Sequence, residues 1–294
     1  MATLREIKGR IGSIKNIEKI TRAMKMVASV KFRKAQQNVV AARPYAKKIG
    51  EILMHLIPTV EDMDNELVKP REVKKILVVV VSGDRGLSGS FNANLIKAAQ
   101  QSLKEKYAEY LNNGDLSLIT IGRKAFDYFN KREYDIYAKY TGIFDKLNFS
   151  VAKEVVRDIV TGYKERKFDK VVVIYNEFKS VVQSKISEEQ FLPIPAFTPA
   201  EGESKKQLNY IFEPSAKAIV DSMLPRHLNT QIWRVLLESY ASEQAAQMTA
   251  MDSATNNANE LVTTLQLFYN RARQAAITKE ILEVVGGAEA LREA

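Results

Sequence analysis

The stretch "VVVVSGDRGLSGSFN", Val78–Asn92, decides the fold of this chain of 294 residues. Four consecutive valines, preceded by Ile76 and Leu77, predict a strand that is buried on both faces, as the inner strands of parallel sheets are. Three glycines then break the pattern, and an amphipathic helical pattern follows. A strand, a glycine turn and a helix in this order predict an α/β domain.

Alternating strand and helix patterns extend from this stretch over residues 74–195. Four strand patterns alternate with three helical ones, and the hairpin partner "VVQSKISEEQFLPI" follows the last strand. Such alternation predicts an α/β layer with a mainly parallel sheet. The strand patterns are "KILVVVVS", "LSLITIG", "DIYAKY" and "KVVVIYNEF", and the helical ones are "ANLIKAAQQSLKEKYAEYL", "RKAFDYFNKR" and "SVAKEVVRDIVTGYKERKF".

The glycine turn is similar to a phosphate-binding loop but lacks the residues that such a loop needs. Gly83, Gly86 and Gly89 are spaced G-x-x-G-x-x-G, which is not the dinucleotide fingerprint. A Walker loop would also place Lys and Ser/Thr directly after the last glycine, where Ser90 and Phe91 stand. We therefore expect a structural turn with close packing and no bound cofactor.

The composition excludes most other site chemistry. The chain has no cysteine and only two histidines, which we expect on helix surfaces. No paired carboxylates or metal-ligand spacing occur, so the sequence predicts no catalytic residue and no metal site. The longest apolar run is too short for a membrane span, and the N-terminus lacks a signal-peptide core, so we expect the protein to stay in the cytoplasm.

Two long helices are predicted at the ends of the chain. No proline precedes Pro44 or follows Pro225, and apolar or small residues recur there at alternating steps of three and four. This period near 3.5 is typical of a left-handed coiled coil, and a 50-residue helix would be about 75 Å long. We predict antiparallel pairing of residues 1–58 with 208–294, with Pro44 kinking the first helix or ending its pairing. Packing on the central domain and homodimerisation remain alternatives.

The excess positive charge of +9 is concentrated in the first 50 residues, which hold 13 Lys/Arg against Glu6 and Glu18. This distribution predicts one acidic partner surface beside the first helix. A coiled-coil adaptor whose basic helix binds an acidic or nucleic-acid partner is the main alternative function. Interleaved aromatic residues, which would favour nucleic acid, are almost absent there, since only Phe32 occurs before residue 44.

Three motifs together resemble the γ subunit of the bacterial F-type ATP synthase. They are "IKNIEKITRAMKMVASVKFRKAQ" near the start, "GDRGLSGSFN" in the glycine turn and "ARQAAITKEILEVVGGAEAL" at the end. The resemblance covers the whole chain. It implies an antiparallel left-handed coiled coil of the terminal helices beside a Rossmann-like α/β domain.

The resemblance also implies the function of a central rotor shaft without a catalytic site or cofactor. Such a shaft couples ion-driven rotation of the membrane c ring to conformational cycling of the β-subunit catalytic sites. Its partners would be three α and three β subunits, the ε subunit and the c ring, with no nucleic acid. The chain would lie at the cytoplasmic face of the bacterial inner membrane, as a peripheral subunit without a transmembrane segment.

The family's contacts can be placed on this sequence by motif. Contacts with the α and β subunits are expected at both ends of the chain, and contacts with the c ring and ε at a foot. Gln247 departs from the family, because many members carry arginine there, and this puts a charged contact in doubt. The expected α/β contacts are Arg22, Met24, Lys25, Gln247, Arg273, Gln274, Thr278 and Glu280, and the expected foot contacts are Arg43, Tyr45, Tyr210, Phe212 and Glu213.

Overall fold

A computed structural model describes residues 3–57, 60, 65–181, 183–195, 213 and 215–292. The contacts divide the chain into two compact units. One unit comprises Met1–Ala28 and Gln247–Ala294, and the other comprises Ser29–Ala246. Tyr210 and Phe212 lie outside the described residues.

The secondary-structure elements follow the predicted order. Along the chain, strands and shorter helices alternate between the two long helices. The elements are α1 (Leu4–Leu56), β1 (Ile76–Val81), α2 (Phe91–Glu105), α3 (Ala108–Asn113), β2 (Leu116–Ile121), α4 (Arg123–Asn130), β3 (Ile136–Tyr140), a 3₁₀ turn (Ile143–Lys146), α5 (Phe149–Lys164), β4 (Lys170–Phe178), β5 (Ser184–Leu192) and α6 (Ala216–Arg292).

The unit Ser29–Ala246 contains a five-stranded sheet in the order β3-β2-β1-β4-β5. The first four strands are parallel, and β5 pairs antiparallel with β4. All six residues of β1 are buried because the strand has a neighbour on each side and packed layers on both faces. The parallel strands β3-β2-β1-β4 have the order found in Rossmann-like sheets, and β5 adds an antiparallel hairpin strand at one edge. The predicted fold class is therefore confirmed.

The two faces of β1 belong to two different cores. Leu77, Val79 and Val81 point into a core that also contains residues of α5 and apolar residues of α1 and α6. The alternate residues, including Val78 and Val80, point into a second core with α2 and α4. The side-chain period of two along a strand produces this division. Helices therefore cover both faces of the sheet.

In the other unit, α1 and α6 pair directly. Thr21 and Thr255 are buried, and their hydroxyl oxygens are 2.8 Å apart. Lys25 Nζ lies 2.5 Å from Asp252 Oδ1, so the residue number falls on α6 as it rises on α1. The helices are therefore antiparallel, and the predicted intramolecular pairing of the terminal helices is confirmed.

Two local expectations need adjustment. The helix expected over residues 93–111 is divided into α2 and α3, and Tyr107 between them donates a hydrogen bond to Glu188 on β5. Helix α1 continues through Pro44 to Leu56, and the buried residues Ile49 and Leu53 lie beyond the proline, so Pro44 does not end the packed face. The domain boundaries 1–58, 74–195 and 208–294 stay predictions.

Candidate functional site

The carboxyl end of the parallel sheet is where α/β proteins of this strand order bind ligands. In the unit Ser29–Ala246, helix α6 packs against this end. Ser239 Oγ donates to the carbonyl of Val81 at 3.4 Å, and Ser242 Oγ donates to the carbonyl of Asn176 at 3.4 Å. Both serines are buried, so the chain's own helix covers the position that a ligand would use.

The glycine turn lies directly against a carboxyl group of α6. A Cβ atom added to Gly83 would lie 2.2 Å from Oε1 of Glu243, which is far inside van der Waals contact. The backbone N–H of Gly83 donates to Oδ1 of Asn92 at 2.8 Å. Gly89 has φ of +58°, a left-handed conformation that favours glycine. The turn thus needs Gly83 for close approach and Gly89 for backbone conformation.

A second carboxylate occupies the anion-binding position at the start of α4. Asp84 accepts hydrogen bonds from the backbone N–H groups of Arg123 at 3.0 Å, Gly142 at 2.7 Å and Phe144 at 3.2 Å. Backbone N–H groups at a helix start are the groups that bind phosphate in nucleotide sites. Here the N–H group at the start of α4 and two N–H groups that follow β3 bind a side chain of the glycine turn itself, so the turn connects two loops.

The position of Glu243 changes its acidity. Burial, together with the charges of Asp84 and Asp145, raises the pKa of this carboxyl group to about 7, and the charges of Lys31 and Arg85 oppose the rise. The side chain is only 6 % exposed. A carboxyl group that protonates near neutral pH can be buried at a lower cost in free energy than one that must stay charged.

Arg43 lies in a different polar cluster of the same unit. Its guanidinium donates to the carbonyl of Phe178 at 2.8 Å and to Oε1 of Glu238 at 3.2 Å. Glu238 is 2 % exposed and also faces Arg234, 3.8 Å away. His227 packs near this cluster and is buried, so the expectation of a surface histidine is wrong for this residue. Burial, together with the charge of Arg234, lowers the pKa of His227 to about 4.

The residues expected to contact the catalytic head near the C-terminus are all on the surface of α6. Arg273, Gln274, Thr278 and Glu280 are exposed. The structure brings two of them together, because Thr278 Oγ1 donates to the backbone carbonyl of Gln274 at 2.9 Å. Large apolar side chains between and beyond them are exposed as well; they are Ile277, Ile281, Leu282, Val284, Val285 and Leu291.

The expected contacts near the N-terminus are less exposed. Arg22 is exposed and pairs with Glu18 on its own helix at 3.3 Å, whereas Lys25 binds Asp252 of α6. Met24 and Gln247 are half-buried. Among the expected foot contacts, Tyr45 is 57 % exposed and Glu213 is exposed.

Membrane-spanning helices and metal-binding clusters are both absent from the part of the chain that the structure describes. No helix in it is long and apolar enough to span a membrane. No cluster of three or more acidic or histidine side chains in it could hold a metal ion.

Comparison with known proteins identifies the family. A family profile described as "ATP synthase" matches residues 3–291. The ATP synthase gamma chain of Chloroherpeton thalassium is 51% identical over 100% of this chain and 99% of its own length. That of Chlorobaculum parvum is 50% identical over the full length of both. The chain belongs to the ATP synthase gamma chain family. The predicted resemblance is therefore confirmed.

Solved structures support the fold of this gamma chain. A chain of the Euglena gracilis mitochondrial ATP synthase rotor is similar with a TM-score of 0.66 at 19% identity, covering 93% of this chain and 98% of that one. A chain of the Tetrahymena thermophila mitochondrial ATP synthase central stalk and c ring gives 0.59 at 23% identity, covering 80% and 99%. With the family membership, they confirm the predicted assignment to the non-catalytic rotor subunit of the ATP synthase.

Proposed function

We propose that this gamma chain is the central shaft of a bacterial F-type ATP synthase. In this proposal it rotates inside a head of three α and three β subunits, and its foot rests on the c ring and the ε subunit. The complex lies at the cytoplasmic face of the inner membrane, and ion flow through the c ring drives the rotation. The catalytic residues for ATP belong to the head.

The observation that carries the proposal is the surface of the last turns of α6. Ile281, Leu282, Val284 and Val285 are between 53% and 72% exposed. A helix end with such a concentration of exposed apolar side chains is unfavourable in water and marks a protein-binding surface. An apolar sleeve formed by the α and β subunits would cover these side chains without gripping them, which suits a part that must turn.

The polar residues before this apolar end supply directional contacts. Arg273, Gln274, Thr278 and Glu280 are exposed, so each can reach a loop of a β subunit without any change in the fold of α6. Because α1 and α6 present different side chains on different sides, each β subunit would meet a different surface. Rotation would then favour a different conformation of each β subunit in turn, through differences in binding free energy.

The basic part of α1 suits an acidic surface of the β subunit. Arg22 is exposed, and Met24 lies beside it with part of its surface free to contact a partner. Lys25 is already paired with Asp252, and its side chain remains 43% exposed. In the proposal these three residues contact the acidic surface of the β subunit, while Gln247 contributes a neutral contact.

The foot contacts rest on exposed residues of the unit Ser29–Ala246. Tyr45 presents most of its ring to solvent, and Glu213 is exposed. We assign both to the contact with the c ring and ε, together with Arg43, Tyr210 and Phe212. The two solved neighbours belong to a rotor and to a central stalk with c ring, which is consistent with this assignment.

Purification of the complex from its own membranes tests the proposal. A tagged gamma chain should retain α and β subunits in a ratio of one to three to three. Replacing Ile281 and Val284 together by Asp should reduce the retained α and β several-fold, because charges would enter the apolar sleeve. Val181→Asp, at an exposed position of the β4–β5 turn, is the matched control and should retain them fully. A wild-type chain that purifies only as a homodimer would refute the proposal.

A further inference from the structure

Arg43 connects three elements with one side chain. It lies on α1, and its Nη2 atom donates to the backbone carbonyl of Phe178, the last residue of β4, at 2.8 Å. Its Nε and Nη2 atoms both lie 3.2 Å from Oε1 of Glu238 on α6. The guanidinium therefore holds the sheet and the second long helix at the same time.

The contact continues through Glu238 to the far edge of the sheet. Glu238 is buried and faces Arg234, one turn earlier on α6. Arg234 in turn pairs with Glu189 of β5 and donates to the hydroxyl of Tyr175 on β4 at 2.9 Å. We call Arg43, Glu238, Arg234 and Glu189 the arginine clamp. Its members come from α1, α6 and β5.

Apolar packing and polar contacts both hold the helices together beside the clamp. The adjacent core between α1 and α6 combines Phe32 with smaller side chains such as Ala35, Val39, Ala241 and Ala245. Apolar contacts stabilise the pair through burial and close packing, but they have no hydrogen-bond direction. Charged hydrogen bonds of a planar guanidinium are directional, and buried polar pairs serve best as devices that specify register.

The burial of Glu238 makes the clamp sensitive to the loss of one partner. Burial raises the pKa of this carboxyl group, and the charges of Arg234 and Arg43 oppose the rise. If Arg43 were removed, the carboxylate would stay buried with less compensation, which disfavours the closed arrangement. Arg43 itself is 44% exposed, so its own solvation changes less.

We propose that Arg43 is a positioning residue for torque transmission, through the hydrogen bonds that lock α1 to α6 and to β4. Under load, α1 and α6 then turn together with the sheet instead of slipping against each other. The inference rests on the proposed rotor function. It concerns the chain's internal contacts, whereas the foot contact of Arg43 concerns its partners.

The test uses the assembled enzyme in membrane vesicles, with Arg43→Ala, Arg43→Lys and Arg33→Ala. Arg33 is an exposed arginine of the same helix and controls for the loss of charge. The readout is the ratio of protons pumped to ATP hydrolysed by each assembled enzyme, since a purely structural role would lower the yield and leave this ratio unchanged. We expect Arg43→Ala to lower the ratio at least several-fold, Arg43→Lys to restore it in part, and Arg33→Ala to leave it unchanged.

Hydrogen exchange of the same complexes locates the effect. In Arg43→Ala, amide exchange in residues 40–50 should rise on the order of tenfold, which corresponds to losing one charged hydrogen bond. Adding Glu238→Gln to Arg43→Ala should reverse most of this rise, because no buried charge is then left without its partner.

Two outcomes would overturn the inference. One is an Arg43→Ala enzyme with the wild-type pumping ratio and wild-type exchange. The other is a double variant that is no better than Arg43→Ala. Failure of the proposed rotor function would look different, because the wild-type chain itself would then not assemble with α and β subunits.

Discussion

The carboxyl group of Glu243 on α6 packs against Cα of Gly83, so that the glycine turn after β1 has no space for even a methyl group on this side. The glycine turn, which the sequence predicts to be structural, and the long helix α6 are therefore parts of one packed contact. The glycine at position 83 permits this packing, and Asp84 of the same turn binds the backbone N–H groups of Arg123, Gly142 and Phe144. A turn with the outline of a ligand site can thus be closed by its own chain.

Gly83→Ala is expected to destabilise the chain. The new Cβ would meet Oε1 of Glu243 at 2.2 Å and Cδ at 2.7 Å, so the buried Glu243 side chain, α6 or the turn must move. Overpacking of a well-packed site costs about 1–3 kcal/mol in the free energy of unfolding, which urea denaturation of the full chain would measure.

Gly86→Ala is the control for that substitution. Its Cβ would meet nothing closer than 4.0 Å, and we expect a change below about 0.5 kcal/mol in either direction. Combining Gly83→Ala with Glu243→Ala should recover part of the lost stability, because it removes the side chain that the new methyl group meets. Equal losses for the two glycine variants would contradict the contact between the turn and α6.

The stability of the chain should depend on pH through Glu243. Its pKa is about 7 in the folded chain and 4.5 in the reference state, so the folded chain binds the proton more tightly. This contribution is fully present below pH 4.5 and is lost as the pH rises through about 7. The Glu243→Gln variant cannot ionise at this position. As the pH rises, the free energy of unfolding of the wild type should therefore fall relative to that of the variant, by on the order of 3 kcal/mol at most.

Denaturation of both proteins at several values between pH 5 and 8 would measure this difference. Other acidic groups contribute equally to the two proteins and cancel. Glu177 and Glu188, whose pKa values are lowered, are among them. If the difference in the free energy of unfolding between wild type and Glu243→Gln stayed constant over this range, Glu243 would not titrate there.

The fold could be predicted from the sequence because its signals are local and repeated. The buried run of β1 and the 3.5-residue period of the two long helices each depend on side-chain spacing alone. The spacing was less reliable for single positions. The steps of three and four that link Ile7, Ile11 and Ile14 also predict Ile17 on the paired face of α1, but it is 51% exposed.

The polar contacts could not be predicted in the same way. Arg234, Glu238 and Glu243 are charged residues of a long helix, and such residues ordinarily face solvent. All three nevertheless pack against elements far away in the chain. Their burial depends on where α6 crosses the sheet, which is a tertiary relationship. The pair "SE" at Ser242–Glu243, set within an otherwise apolar and small stretch, is the one local signal that could have indicated buried polar groups.

The buried hydroxyl pair of Thr21 and Thr255 should couple the two long helices. Each hydroxyl oxygen also lies within hydrogen-bond distance of a carbonyl of its own helix, at Glu18 and Met251. Because each hydroxyl carries one hydrogen, one of them donates to its own carbonyl while the other donates across the helices. Replacing either threonine by valine removes the contact between the helices, and we expect a loss of about 1 kcal/mol in the free energy of unfolding. The double variant should lose less than the sum of the two, with a coupling of at least about 0.5 kcal/mol in a double-mutant cycle. Strict additivity would argue against a bond between the hydroxyls.

Thr278→Ala should impair the assembled enzyme without harming the fold. Thr278 is exposed, and its hydroxyl bonds only within its own helix, to the carbonyl of Gln274. Alanine at an exposed helical position changes stability by less than about 0.5 kcal/mol. If the hydroxyl instead binds a β subunit, its loss should lower ATP hydrolysis by the complex about two- to tenfold, the effect of one neutral hydrogen bond.

Lys279→Ala is the matched control and should retain wild-type activity. Lys279 is the next residue along the helix, and it pairs with Glu283. Equal activities in Thr278→Ala and the wild type would remove Thr278 from the contact with the head.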